Sequence, residues 1–99
     1  MSYSYLFGPR AAEEYEDAFE WYQERSTVAA DNLLIEVEET IRVICEDPYR
    51  YRKTYKDLHE VSLKKYPYYL IYLIDEVKRI VVIISLFHHK RNPANNYRR

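Results

Sequence analysis

Two apolar runs held apart by a short polar stretch constrain the fold of this chain more than any other feature. Residues 68–74 (YYLIYLI) and 80–87 (IVVIISLF) are dense in β-branched and aromatic side chains, and both have the length of strands. Only residues 75–79 (DEVKR) lie between them, which leaves room for a hairpin turn and none for a crossover. The spacing therefore predicts two neighbouring antiparallel strands. Residues 80–86 are apolar at both parities, so both faces of this strand are expected to leave water. The second run empties directly into His88-His89-Lys90-Arg91-Asn92-Pro93, so a rigid hairpin presents a basic, histidine-bearing tip.

Upstream, residues 3–7 (YSYLF) read as a first strand, closed by Gly8-Pro9. Gly8 suits a helix cap, and Pro9 suits the first turn, where a missing N–H loses nothing. Across residues 10–25, Tyr15, Ala18, Phe19 and Tyr22 fall at i, i+3, i+4 and i+7, the stripe of an amphipathic helix. Glu13, Glu14, Glu16, Asp17 and Glu20 lie early in that helix, where they are expected to favour its positive dipole end. Ser26-Thr27 offers an N-cap for a second helix carrying Ala30, Leu34, Val37, Ile41 and Ile44 at helical spacing and ending before Pro48. So short a link predicts an antiparallel helical hairpin.

Residues 48–56 (PYRYRKTYK) are basic and aromatic with no clean period, and read as a loop between helices and sheet. Residues 58–64 alternate weakly, with Leu58, Glu60 and Ser62 on one parity and His59, Val61 and Leu63 on the other. The predicted order is β-α-α-β-β-β: an α+β fold with a helical hairpin packed on a small antiparallel sheet, in a single domain over residues 1–99. Such a hairpin covers one face of the sheet only. The second face of the doubly apolar strand is expected to lie under the C-terminal tail or under a partner chain.

Composition narrows the function classes. Tyrosine supplies 12 of the 16 aromatic residues, and its ring-plus-hydroxyl character places many of them at core edges and interfaces. The one cysteine, Cys45, has no partner for a disulfide and none at metal-ligand spacing; beside Ile44 it reads as core. No apolar N-terminal run suggests a leader, and residues 80–87 are too short to cross a bilayer. A soluble, cytoplasmic protein is expected. Gly8 is the only glycine, which excludes a glycine-rich phosphate loop. His88-His89 lacks a neighbouring carboxylate or thiol, so neither metal nor cofactor is expected.

The net charge of −1 conceals a polarised chain: residues 1–48 carry three basic and twelve acidic side chains, and residues 49–99 carry twelve and four. This is either a basic face for an anionic partner or acidic helices lying across a basic sheet.

The motifs resemble a known family. The strand Pro67-Tyr68-Tyr69-Leu70-Ile71-Tyr72, the ending His88 to Pro93 with its H-x-x-R-x-P pattern, the Gly8-Pro9-Arg10-Ala11 start and a helix closing near Asp47-Pro48 together look like the RelE/ParE toxin superfamily, ParE-like branch. The resemblance implies the toxin of a type II toxin–antitoxin pair, neutralised by a cognate antitoxin that wraps across it. It implies one of two actions: inhibition of DNA gyrase by binding, as in the ParE-like branch, or ribosome-dependent cleavage of mRNA, as in the RelE-like branch. A non-toxic antitoxin-binding module is a third reading. The assembly would be a homodimer or a toxin–antitoxin hetero-oligomer, away from membranes.

Metal-free RNA cleavage needs a base, cations for the phosphorane charge and an acid for the leaving oxygen. RelE-like nucleases resemble one another in drawing these from basic residues on the central strands and from a C-terminal aromatic or histidine. Here Glu60 and Ser62 stand where that branch tends to place lysines, and Tyr69 where it often carries arginine. The candidates for a catalytic role are His88, His89, Arg91 and Tyr97; adjacent histidines on a strand point to opposite faces, so they would not share one proton transfer. The expected reading is therefore a toxin that acts by binding and not as an enzyme. Its contact residues would be Lys90, Arg91, Arg98 and Arg99, with Arg50, Arg52 and Lys53 of the basic-aromatic loop as a second group.

Overall fold

The computed structural model describes residues 2–90 and orders them as β1 (Ser4–Phe7), α1 (Pro9–Gln23), α2 (Thr27–Glu46), β2 (Lys53–Tyr55), β3 (Leu58–Ser62), β4 (Tyr68–Asp75) and β5 (Ile80–His88). Arg91, Tyr97, Arg98 and Arg99 lie outside the described residues. The predicted α+β layout is present, and β4 and β5 form the antiparallel hairpin. The Asp75 carboxylate accepts the Lys78 amide at 3.1 Å across its turn, and Arg79 takes a left-handed conformation (φ 56°) to re-enter the sheet.

The sheet differs from the expected one in two ways. Its order is β1-β5-β4-β3-β2, and β1 runs parallel to β5, so the sheet is mixed. The segment read as a loop contains the short strand β2, which pairs antiparallel with β3. Its side chains are exposed or half-buried, so no apolar period marks it; only the open edge of β3 brings it into the sheet.

Gly8 explains how β1 passes into α1. Its N–H donates to the Ile83 carbonyl at 2.8 Å, and a Cβ here would sit 3.2 Å from that same oxygen. Pro9 occupies the first turn as predicted. Because α1 begins at Pro9, no acidic residue lies in its first turn. The expected dipole benefit of Glu13 and its neighbours is therefore absent, since the effect decays within that turn. Ser26 caps α2, its hydroxyl accepting the Ala29 amide at 3.1 Å.

The core lies between the helices and one sheet face. Leu70, Tyr72, Val81, Ile83 and Leu86 pack against Ala11, Ala18, Leu33, Val37, Ile41 and Ile44. On α2 the buried residue is Leu33, whereas Leu34, expected in the core, is only half-buried. Cys45 is buried, and burial pushes its thiol pKa up, away from reactivity. Tyr66 closes the rim as expected, its Oη donating to the Ala29 carbonyl at 2.6 Å, whereas Tyr72 is fully buried in the core with its Oη donating to the Pro48 carbonyl at 2.7 Å.

Two carboxylates join helices to sheet. Glu14 of α1 accepts the Ser85 hydroxyl at 2.7 Å and the Leu86 amide at 2.9 Å, where β5 has run past the end of β1. Glu36 of α2 accepts the Lys64 and Lys65 amides in the turn before β4.

Candidate functional site

Strand alternation sends Tyr68, Leu70 and Tyr72 under the helices and Tyr69, Ile71 and Leu73 to the opposite face, open in the sense that neither helix packs on it. On β3, Glu60 stands opposite Ile71 and Ser62 opposite Tyr69, so both join the open face. On β5, Phe87 stands opposite Tyr69, their ring centroids 5.1 Å apart. The face is firm beneath its surface: Ile71 is fully buried and Phe87 is buried. Between Ile71 and Tyr72 the β4–β5 register shifts, and the extra residue on β5 is Ile84. Such bulges increase local twist and re-aim the strand beyond them, here the histidine end.

The two histidines divide between the faces. His88 meets the edge of Tyr68 at 5.2 Å, on the helix side, and its Nδ1 accepts the Lys90 amide at 3.1 Å. His89 turns to the open face, where three contacts hold it. Its backbone amide donates to the Pro67 carbonyl at 2.8 Å. Its Nε2 lies 3.1 Å from Ser62 Oγ, and its ring lies 4.2 Å from that of Tyr69. Ser62, Tyr69 and His89 thus form one cluster, with Glu60 two residues along β3 on the same face. Alternation placed Ser62 and Tyr69 on this face, but that they brace a histidine 27 residues beyond Ser62 depended on strand register.

A serine beside a histidine invites a nucleophile reading, which further needs the base oriented by a third group. Here the His89 ring is oriented by Tyr69 and the chain by Pro67, an arrangement that immobilises the imidazole at the surface.

The second group of expected contacts sits elsewhere. Arg52 and Lys53 are exposed at the β2 edge, and the Arg50 guanidinium lies 5.9 Å from the Tyr51 ring. Their loop is pinned from below, because the Tyr51 carbonyl accepts from His59 Nδ1 at 2.8 Å and the Pro48 carbonyl accepts from Tyr72. His59 is itself buried, stacked on Tyr72 at 5.1 Å. Strand order separates β2 from β5 by two strands, roughly 14 Å at ordinary strand spacing, so this group does not join Lys90 in one patch. Among the described residues no cluster of three or more His, Cys, Asp or Glu could hold a metal, and no helix is long and apolar enough to cross a membrane.

The fold is that of type II toxins. A chromosomal ParDE toxin–antitoxin structure from P. aeruginosa is similar over 88% of this chain and 96% of that one, at TM-score 0.75 and 11% identity. The E. coli RelBE toxin–antitoxin complex is similar over 91% and 100%, at TM-score 0.63 and 19% identity. RelBE2 from Mycobacterium tuberculosis is similar over 89% and 99%, at TM-score 0.58 and 18% identity. Identities this low show the fold alone. No curated protein sequence matches the chain. The family is shown by sequence: the model for the ParE toxin of the type II toxin–antitoxin system parDE matches residues 5–93. The chain belongs to the ParE toxin family.

Proposed function

We propose that this protein is the growth-inhibiting half of a toxin–antitoxin pair, held silent by a cognate antitoxin, and that it acts in the cytoplasm by binding DNA gyrase and not by cutting RNA. One observation carries the choice of action. Among the described residues, the open-face cluster that would have to stabilise a phosphorane comprises Glu60, Ser62, Tyr69 and His89. A carboxylate there opposes the charge that develops in phosphoryl transfer, and the two neutral side chains beside it supply no cation. Lys90, Arg91, Arg98 and Arg99 then serve as docking cations, with Arg50, Arg52 and Lys53 as a separate contact. Carried on a plasmid, such a pair would stabilise the plasmid by killing cells that lose it.

The rival is a ribosome-dependent endoribonuclease. What favours it is His89, held beside Ser62 and Tyr69 and of a residue type that general acid–base catalysis uses, with Arg91 given the cation's role by the sequence motif. The deciding experiment sets purified toxin against purified gyrase and against translating ribosomes. The expected result is lost supercoiling with intact mRNA. Cleaved mRNA with normal supercoiling, abolished by His89→Ala together with Arg91→Ala in a folded variant, would replace this reading with the rival. Normal growth on expression without antitoxin would replace both with a non-toxic antitoxin-binding module.

A further inference from the structure

The basic loop that enters β2 is held more firmly than a connector requires. Its Arg50 amide donates to the Asp47 carbonyl at 3.1 Å, and the Arg52 carbonyl accepts the Glu60 amide at 3.2 Å. The Pro48 and Tyr51 carbonyls accept from the buried Tyr72 and His59 at 2.7 and 2.8 Å. The carbonyls of Pro48, Tyr51 and Arg52 are thus drawn into the domain. Each one turned inward takes a partial negative charge away from the loop's outer surface.

What the loop shows to solvent is cationic and aromatic. Residues 48–56 carry Arg50, Arg52, Lys53 and Lys56, all exposed, and no acidic side chain. Among the described residues every ion pair falls within residues 10–46, so no carboxylate neutralises these four. Rings alternate with the charges, and Tyr49 is 53% exposed and Tyr55 37%. The Arg50 guanidinium lies 5.9 Å from the Tyr51 ring, and the Lys56 ammonium 5.6 Å from that of Tyr55. Tyr49 meets His59 nearly perpendicular at 6.2 Å, which orients its ring and leaves it in solvent. Among the described residues β2 is the last strand of the sheet, so no further strand screens this surface.

Charge and rings together select the occupant. An acidic protein segment would satisfy the cations and leave the exposed tyrosines in water. A nucleic-acid duplex would satisfy the cations but keep its base faces stacked within itself. An unpaired strand offers phosphates to the cations and base faces to the rings.

We infer that residues 49–56 form a binding surface for single-stranded nucleic acid, with the four cations on its phosphates and Tyr49 and Tyr55 stacked on its bases. The pinned backbone presents these groups already ordered, so binding does not bear that cost. The loop thereby takes a ligand different in kind from the one met by the Lys90 tip. The inference stands on the loop's own geometry, whatever the toxin's target.

The test titrates the full chain into labelled twelve-nucleotide oligo(dT) and oligo(U) and follows fluorescence anisotropy, with neither gyrase nor ribosome present. Binding to either is expected with Kd on the order of 10 μM, and log affinity should fall with log salt at a slope of about −3, as for four phosphate contacts. The tighter oligomer names the source as DNA or RNA. Tyr49→Ala should weaken binding at least fivefold and Tyr49→Phe less than twofold, since stacking uses the ring and not the hydroxyl. Arg52→Gln with Lys53→Gln should weaken it at least tenfold. Lys64→Gln with Lys65→Gln, which removes equal charge from an exposed turn elsewhere, should weaken it less than twofold, with melting temperatures unchanged throughout. No binding at 200 μM protein, equal losses from the two double variants, or indifference to Tyr49→Ala would overturn the inference. So would equal affinity for an oligo(dA)·oligo(dT) duplex, or displacement by polyglutamate as effective as by unlabelled strand. Because no target is present, failure here leaves the gyrase reading standing, and unaffected gyrase with intact strand binding would sink that reading alone.

Discussion

The two faces of the sheet are built to different rules. On the helix side, apolar packing is dense and polar atoms are matched in pairs: Tyr72 with Pro48, His59 with Tyr51, Tyr66 with Ala29. On the open side, a buried base of Ile71 and Phe87 carries a surface of Leu73, Tyr69, Glu60, Ser62 and His89. The first face accounts for the fold's stability, and the second displays chemistry on a rigid support. In this molecule recognition and stability occupy opposite sides of the same strands, which lets one change without undoing the other.

The comparison breaks if both faces respond alike to truncation. Leu70→Ala, on the helix side, should cost about 3 kcal/mol in urea unfolding, and Leu73→Ala, on the half-buried open side, about 1 kcal/mol. Equal costs would mean that the open face is as much a core as the covered one. Glu14→Ala tests whether the helix-to-β5 carboxylate secures the junction: it leaves the Leu86 amide and Ser85 hydroxyl without their acceptor and should cost about 2 kcal/mol. Glu14→Gln keeps one acceptor oxygen and should lose less than half as much. Tyr72→Phe removes the hydroxyl that binds Pro48 and should cost about 1 kcal/mol, with loosening of the basic loop seen as faster amide exchange over residues 49–52.

Alkali sharpens the same contrast. Burial, with Glu38 adding to it, pushes Tyr15 up to about 12, and burial likewise raises Tyr72 and Tyr66 above the ordinary tyrosine value. A phenol whose pKa is raised on folding holds its proton more tightly in the native state. The stability this represents is complete below about pH 10 and is lost as pH climbs through 12. A melting temperature that stays flat from pH 10 to 12 would contradict this account of the buried and half-buried tyrosines. The smallest effect is expected at Ser62→Ala, within about 0.5 kcal/mol of wild type, because the site is exposed. Its signature should be local, a broadened His89 ring signal in NMR spectra, since that imidazole loses one of its holds.

Local chemistry was readable where one residue type settles one conformation. Pro9 after Gly8 marked the start of α1, and Ser26 marked the cap of α2. The apolar runs marked β4 and β5 because strands buried in a sheet centre need apolar side chains. Strand β2 gave no such signal, since an edge strand with exposed side chains has no apolar period to show. Leu33 and Leu34 are equally apolar, and only the rotation of α2 against the sheet chose the first for the core.

The candidate site followed the same division. His88 and His89 stood out as residue types, and alternation was enough to assign them to opposite faces. Ser62 and Tyr69 were visible as departures from a nuclease pattern, not as the pair that braces His89. That role arises from β3–β4 register and from the bulge at Ile84, neither of which leaves a mark on the residues themselves.

The chain by itself determined both helices and every strand but β2, its polarity of charge and its family, because propensity, patterning and motifs are local or linear properties. Tertiary structure alone decided that β1 runs parallel to β5, that Glu14 completes β5 where β1 ends, and that the basic loop joins the sheet through the Arg52 carbonyl and the Glu60 amide. Each depends on which distant backbone groups come to lie side by side, and hydrogen bonding between them is indifferent to the side chains that a sequence displays.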